Sequence, residues 1–287
     1  MAILVLDTLD PYLNLATEEV LLKDASITED LLILWQSSPA FVLGRNQNPF
    51  LEINPSHMTD SIPVIRRISG GGTIYEDLGT LNFSIITNDY KNNINNYNYF
   101  LEPVIIALKT LGLDVRLKPK SDLILDDKKI SGNAQSFKNN RLLHHGTLLY
   151  DTDLNVIYEA LVNYKQSFKG THVTSNKQSV TNLKEHLASQ VTMESVLEAL
   201  VNAFTHSLGI SKTPYLLTDE VKNIIHQTAT EKYHSWEWNF GKTPLFETTI
   251  KFMHKDYLAT VDKGLIVDIE PKDKDSESLL DTRYSNT

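Results

Sequence analysis

Residues 122–150 read DLILDDKKISGNAQSFKNNRLLHHGTLLY and hold three candidate strands, 122–126, 129–137 and 141–150. Their links, Asp127-Lys128 and Asn139-Asn140, carry residue types that suit tight hairpin turns with positive φ. The strand signal recurs on both sides. Upstream, residues 3–6, 31–36, 40–45 and the loosely alternating IPVIRRIS (62–69) read as strands. TIYE (73–76) and TLNFSIIT (80–87) resume the pattern, with a hairpin expected around Asp77-Leu78-Gly79. Downstream of Phe246, TIKFMH and GLIVDIE predict two further strands before a charged tail, enough for one hairpin and a short helix.

Helices separate these clusters. DPYLNLATEEVLL (10–22) carries Leu15, Val20 and Leu21 as apolar positions, and the Asn-rich stretch 91–99 reads as a loop entering a helix that ends near Leu111. From Thr192 to Leu208 the set Val196, Leu197, Leu200, Val201, Phe204 and Leu208 has the spacing of an amphipathic helix. Strand clusters interrupted by helices place the chain in the α+β class. It shows no internal repeat and no long linker.

Composition narrows the function. With 41% hydrophobic and 22% charged residues the chain is an ordinary globular one, and its net charge of −9 argues against general nucleic-acid binding. It contains no cysteine, which removes disulfides, thiolate metal sites and thioester mechanisms together. No basic start or long apolar run marks the N-terminus as a signal peptide, and no stretch approaches the ~20 apolar residues that span a bilayer. The expectation is a cytoplasmic protein with neither nucleic-acid nor membrane partners.

Residues 66–84, RRISGGGTIYEDLGTLNFS, place three glycines after two arginines and a serine. No lysine follows as a Walker A loop requires, and Tyr75 stands where a Rossmann loop needs its third glycine. Two readings remain. Either the bare backbone lets a ligand approach, with Arg67 as a permanently charged planar donor, or this is a glycine-rich bend with solvated arginines. Lys129 likewise points into a cleft or into solvent. His144 and His145 alternate faces of one strand and cannot converge on one metal ion. A Ser-His-acid triad has no G-x-S-x-G signature here.

In order along the chain stand NLATEE (14–19), GRNQNP (44–49), RRISGGG (66–72), DLILDDKKISGNAQ (122–135), HHGTLL (144–149), VTNL (180–183) and KYHSWEWNFGKTP (232–244). Together these resemble the lipoate–protein ligase A family over about residues 1–250. The resemblance implies a catalytic domain over 1–246, related to biotin ligases and class II aminoacyl-tRNA synthetases, and a small, shortened accessory domain over 247–287. It implies ATP-dependent activation of lipoate to lipoyl-AMP and transfer of the lipoyl group to a lysine of an acceptor lipoyl domain. Acceptors would be 2-oxoacid dehydrogenase E2 subunits or a glycine cleavage H-type protein. The alternatives are a lipoyltransferase fed with preformed lipoyl-AMP and a non-catalytic lipoate-binding protein.

By the same match Lys129 is the catalytic residue, touching both lipoate and adenylate. Arg67, Gly72, Thr73, Ile74, Tyr75, Asp122 and Thr147 would border ATP or adenylate; Ser69, Gly70, Gly71 and His145 would line the lipoyl chain. Mg²⁺ is expected with ATP, Asp122 being its candidate protein ligand. Asp122, Glu76 and the adenylate phosphate are the candidates to take the proton of the attacking lysine. Glu76 stands where the family usually has His, so it is expected to face away, pair with a base such as Arg66, or alter the activation chemistry. Lys177 and Ser179 fall in a loop where the family is richer in arginine.

Overall fold

Two strands, β6 (Thr80–Thr87) and β11 (Arg141–Leu149), are buried along their whole length and pair antiparallel at the heart of the largest sheet. That sheet runs β1-β2-β6-β11-β10, with β1 (Ala2–Val5) parallel to β2 (Leu31–Trp35) and β10 (Asn133–Lys138) on the far edge. The computed structural model describes residues 2–118, 121–164, 173–209 and 213–284.

Successive side chains of a strand point to opposite faces, so a strand covered on both sides is apolar on both. Ile85 and Leu142 join one core with Phe100, Val104, Leu200 and Phe204, whereas Ile86 and Leu143 join another with Leu15, Leu21, Ile33 and Tyr233. Helices α2 (Tyr97–Thr110) and α3 (Met193–Leu208) supply the first layer. Helices α1 (Pro11–Lys23) and α4 (Asp219–Thr228) contribute to the second. Caps set the helix starts: the Asp10 carboxylate accepts from the amides of Tyr12 and Leu13, and Thr192 and Ser195 form a capping box. No helix among the described residues is long and apolar enough to cross a membrane.

Three small sheets flank the large one. β3 (Ala40–Leu43) lies between β4 (Val64–Arg66) and β5 (Ile74–Glu76). β8 (Asp122–Leu125) lies between β7 (Arg116–Lys118) and β9 (Lys128–Ser131). β12 (Phe246–Phe252), β13 (Lys255–Asp262) and β14 (Leu265–Glu270) form an antiparallel meander. The C-terminal segment thus has three strands, and its core of Phe246, Tyr257, Val261 and Ile269 also takes in Phe50 from the N-terminal part.

Two expectations on connectivity change. The Asp77–Gly79 turn forms, but β5 pairs with β3 while β6 pairs with β2 and β11, so the turn crosses between sheets. Tyr75 packs with Phe41 in a separate core, which draws β5 away. The run 129–137 is two strands broken at Gly132, the first half pairing with β8 and the second with β11. The positive-φ turn before it falls on Asp126 and Asp127, one residue earlier than expected, whereas Asn139 and Asn140 adopt positive φ as predicted. The break at Gly132 opens a cleft between the sheets.

Candidate active site

In that cleft lies a cavity of about 600 Å³, lined among others by Leu15, Trp35, Val42, Arg67, Gly71–Thr73, Glu76, Asp122, Lys129 and His145. A smaller cavity of about 90 Å³ adjoins it, walled by Tyr75, Leu149, Ile157, Leu161 and Val180. Thr73, Ile74, Lys129, Gly132 and Thr147 line both, so Lys129 stands at the junction.

Lys129 is placed by backbone as much as by its own strand. Its N–H donates to the Ser179 carbonyl at 2.9 Å, and its carbonyl accepts from Thr181 N–H at 3.1 Å. The Nζ ammonium lies 3.0 Å from Asp122 Oδ1, and Gln178 Nε2 donates to Asp122 Oδ2 at 2.6 Å. A Cβ at position 132 would lie 2.9 Å from Nζ, so a glycine there gives the ammonium room to turn into the cleft. The pair is 24% and 15% exposed, at the wet end of the cavity.

The two arginines are neither solvated nor equivalent. Arg66 is fully buried and donates to carbonyls of Gly44, Arg45, Gln47, Trp238 and Asn239, tying the GRNQNP loop to the KYHSWEWN segment. Burial pulls its guanidinium down to about 10. Arg67 lines the cavity but spends its donors locally: Nε on Ser69 Oγ at 2.9 Å, Nη1 on Val42 O, and Nη2 on the carbonyls of Gly70 and Gly72. It holds the glycine turn in shape. Burial lowers it likewise to about 10.

The glycines divide. Gly71 and Gly72 line the large cavity, whereas Gly70 is exposed and a Cβ there would meet nothing within 4 Å, so Gly70 takes no part in the wall. At Gly72 the close neighbour is Ser175, whose Oγ would lie 2.8 Å from an added Cβ. Ser175 accepts from Thr73 N–H and donates to the Glu52 carboxylate, laying the 173–180 segment over the cavity. Thr147 joins the junction through its N–H to Gly132 O at 3.1 Å. Tyr75 borders only the small cavity. Lys177 lines the small cavity and donates to the Tyr164 carbonyl.

Ser69 is buried outside the cavity wall, in a relay absent from any local motif. Its Oγ sits 2.6 Å from His145 Nε2, and His145 Nδ1 lies 3.0 Å from both Glu18 oxygens. Ser84 donates to Glu18 and in turn accepts from Trp35 Nε1 at 3.3 Å. In this network His145 Nδ1–H donates to the Glu18 carboxylate, which leaves Nε2 to accept from Ser69. The order of groups is that of a Ser-His-acid triad, but Ser69 Oγ also takes a bond from Arg67 and does not face the cavity. The relay positions His145; it does not arm a nucleophile. Glu18 had no role in the sequence reading. Its signal was a carboxylate on the buried stripe of α1, between Leu15 and Leu22.

Glu76 does not turn away and does not pair with Arg66. It lies 1% exposed against the large cavity. Burial pushes its carboxyl up to about 8, Glu18 adds to the push, and Ser37, Asn82 and Arg67 temper it. Among the described residues neither oxygen has a partner at hydrogen-bond distance: Ser37 donates instead to the Ser38 carbonyl at 2.8 Å, and Asn82 Nδ2 is likewise without one. Among the described residues no three His, Asp or Glu side chains cluster to hold a metal ion.

Residues 10–205 match the family model of the lipoyl protein ligase A/B catalytic domain. The chain belongs to this family. It is 37% identical to the lipoate–protein ligase LplJ of Bacillus subtilis over 239 residues, 83% of this chain and 72% of that protein. The bi-partite lipoate protein ligase of an archaeal lipoylation system from Thermoplasma acidophilum, described with its E2 lipoyl domain, superposes with TM-score 0.72 at 26% identity. That match covers 85% of this chain and 97% of the other. A putative lipoate protein ligase from T. acidophilum with bound lipoic acid gives 0.72 at 25% identity, covering 84% and 98%. A lipoate–protein ligase A bound with ATP gives 0.69 at 26%, covering 83% and 97%. The α+β fold is that of the family's catalytic domain.

Proposed function

We propose that this chain is an ATP-dependent lipoate–protein ligase, and one observation carries the reading: Lys129 stands where the two cavities meet. An acid in the large chamber, with the nucleotide's phosphates beside it and part of the nucleotide reaching toward the small chamber, would bring carboxylate and α-phosphate together beside its ammonium. Relatives are bound to lipoic acid and to ATP, the two ligands this arrangement calls for.

In the first step a lipoate carboxylate oxygen bonds to the α-phosphorus, and the bond to pyrophosphate breaks. In the second an acceptor amine attacks the acyl carbon, the bond to AMP oxygen breaks, and the nitrogen loses a proton. Negative charge builds on the phosphoryl oxygens in the first step and on the acyl oxygen in the second. A preorganised ammonium is worth most where that charge develops. No enzyme nucleophile is needed, in accord with a chain that has no cysteine. Gly72, Thr73, Ile74, Tyr75 and Thr147 border the nucleotide side, and Gly71 and His145 the acyl side; Arg67 and Ser69 act by holding that wall.

Mg²⁺ binds through one or two carboxylates plus substrate phosphates, and Asp122, beside Lys129, is the carboxylate that would hold it. When bound, the ion would offset the phosphate charge. The acceptors would be lipoyl domains of 2-oxoacid dehydrogenase E2 subunits or an H-type protein, modified in the cytoplasm. Residues 1–246 would do the chemistry, with 247–287 as an accessory unit packed on Phe50.

Mass spectrometry of a lipoyl domain incubated with enzyme, ATP, Mg²⁺ and lipoate tests the reading, alongside lipoate-dependent ATP–pyrophosphate exchange. Exchange together with a lipoyl adduct is the expected result. Transfer only from supplied lipoyl-AMP would make the protein a transferase instead.

A further inference from the structure

The large cavity has a wet end and a dry end. Lys129 and Asp122 are partly exposed, whereas Leu15 and Val42, on the wall of the same cavity, are 2% exposed and share a core with Trp35. An acid whose carboxylate lies at Lys129 therefore buries its distal end among these apolar residues. Two polar side chains of the wall are as dry, Glu76 on β5 and Asn82 on β6, 1% and 2% exposed, with Asn82 in register between Trp35 of β2 and Thr147 of β11. Glu76 Oε1, Glu76 Oε2 and Asn82 Nδ2 all lack a hydrogen-bond partner among the described residues. The charged groups nearby are already committed, Glu18 to His145 and Ser84, Arg67 to Ser69 and the loop carbonyls.

We propose that Glu76 and Asn82 form a polar floor that selects medium-chain acids with a hydrogen-bonding heteroatom at the distal end, such as the dithiolane sulfurs of lipoate, over plain alkyl acids. This deepens the ligase reading and rests on it for the orientation of the acid. A buried polar group left unpaired costs more than a hydrogen bond gains, so the penalty falls on the alkyl tail that covers the floor and offers nothing. Burial holds the Glu76 carboxyl neutral up to about pH 8, which leaves it an O–H to donate and an oxygen to accept. Sulfur is a weak acceptor, so the preference is modest, on the order of tenfold.

The test is calorimetric binding of lipoate and octanoate to the full-length wild type and three variants. The wild type should prefer lipoate. Glu76→Met, similar in volume and apolar, should lower the ratio of affinities by about tenfold, mainly by improving octanoate. Glu76→Gln keeps a donor and an acceptor and should keep the preference, an outcome that a merely space-filling role would not produce. Asn82→Leu reads the same floor from another strand and decides the matter if Glu76→Met does not fold. A lipoate-to-octanoate ratio unchanged in the apolar variants, or absent in the wild type, overturns the proposal. Wild type that binds both acids but performs no lipoate-dependent exchange overturns the ligase reading instead, and the binding ratio still judges the floor.

Discussion

The mouth and the floor of one cavity handle carboxylates in opposite ways. At the mouth Asp122 is paired with Lys129, supported by Gln178 and within reach of water. At the floor Glu76 has no hydrogen-bond partner among the described residues, is 1% exposed and has a carboxyl pushed up to about 8 by burial. Charge is kept where bonds would change and suppressed where only an acyl tail would rest. A side-chain carboxyl is thus ion-paired in one place and a neutral hydrogen-bonding group in the other, decided by solvent and neighbours.

The largest expected effect breaks the mouth. Lys129→Ala should lower lipoate-dependent pyrophosphate exchange by roughly 10²–10³-fold, as loss of one preorganised donor does elsewhere. Turnover equal to wild type would remove Lys129 from the chemistry.

The next acts on the floor through stability. Glu76 has its folded pKa near 8 and an ordinary value of 4.5. Between those values the folded chain keeps a proton that the unfolded chain releases. Wild-type stability should therefore fall as pH rises from about 4.5 to about 8 and level off above, at ~1.4 kcal/mol per unit at most, a few kcal/mol in all. Urea unfolding of wild type and Glu76→Gln across pH 5–9 should show this slope in the wild type alone; parallel curves would mean that Glu76 is ionised in the fold.

A smaller loss is expected from Gly132→Ala, whose Cβ would push Lys129 Nζ aside without touching backbone. Exchange should drop by about tenfold with thermal stability near wild type, since misplacing a catalytic group costs rate before it costs fold. The smallest is Gly70→Ala, with open space around the new methyl group. Lipoate affinity should stay within about twofold, as for surface changes that touch nothing. A large loss would return Gly70 to the acyl wall.

The ordered motifs single out residues that the fold gathers around one cavity, and much of the strand and helix content was legible as periodicity. Lys129, Gly72, Thr73, Thr147 and His145 all reach the cavity region that the motifs suggested. The adjacent arginines show where such reading stops. Nothing in RRIS distinguishes Arg66, which clamps two distant segments, from Arg67, which braces its own turn. The expected hairpin at Asp77–Gly79 failed for a related reason: alternation tells which face of a strand is buried, not which sheet receives it. Glu18 escaped notice because its partner His145 is 127 residues away.

The amino-acid sequence alone determined the α+β class, the exclusion of cysteine chemistry and, through seven motifs in order, the family. These follow from residue types and their spacing, which are local properties. Only the tertiary structure decided which polar groups are spent and which are free. A hydrogen bond saturates a donor with whatever the fold brings within about 3 Å, and burial sets what an unpaired one costs. That is why two carboxylates in one cavity, Asp122 and Glu76, read alike in the chain and differ in the fold.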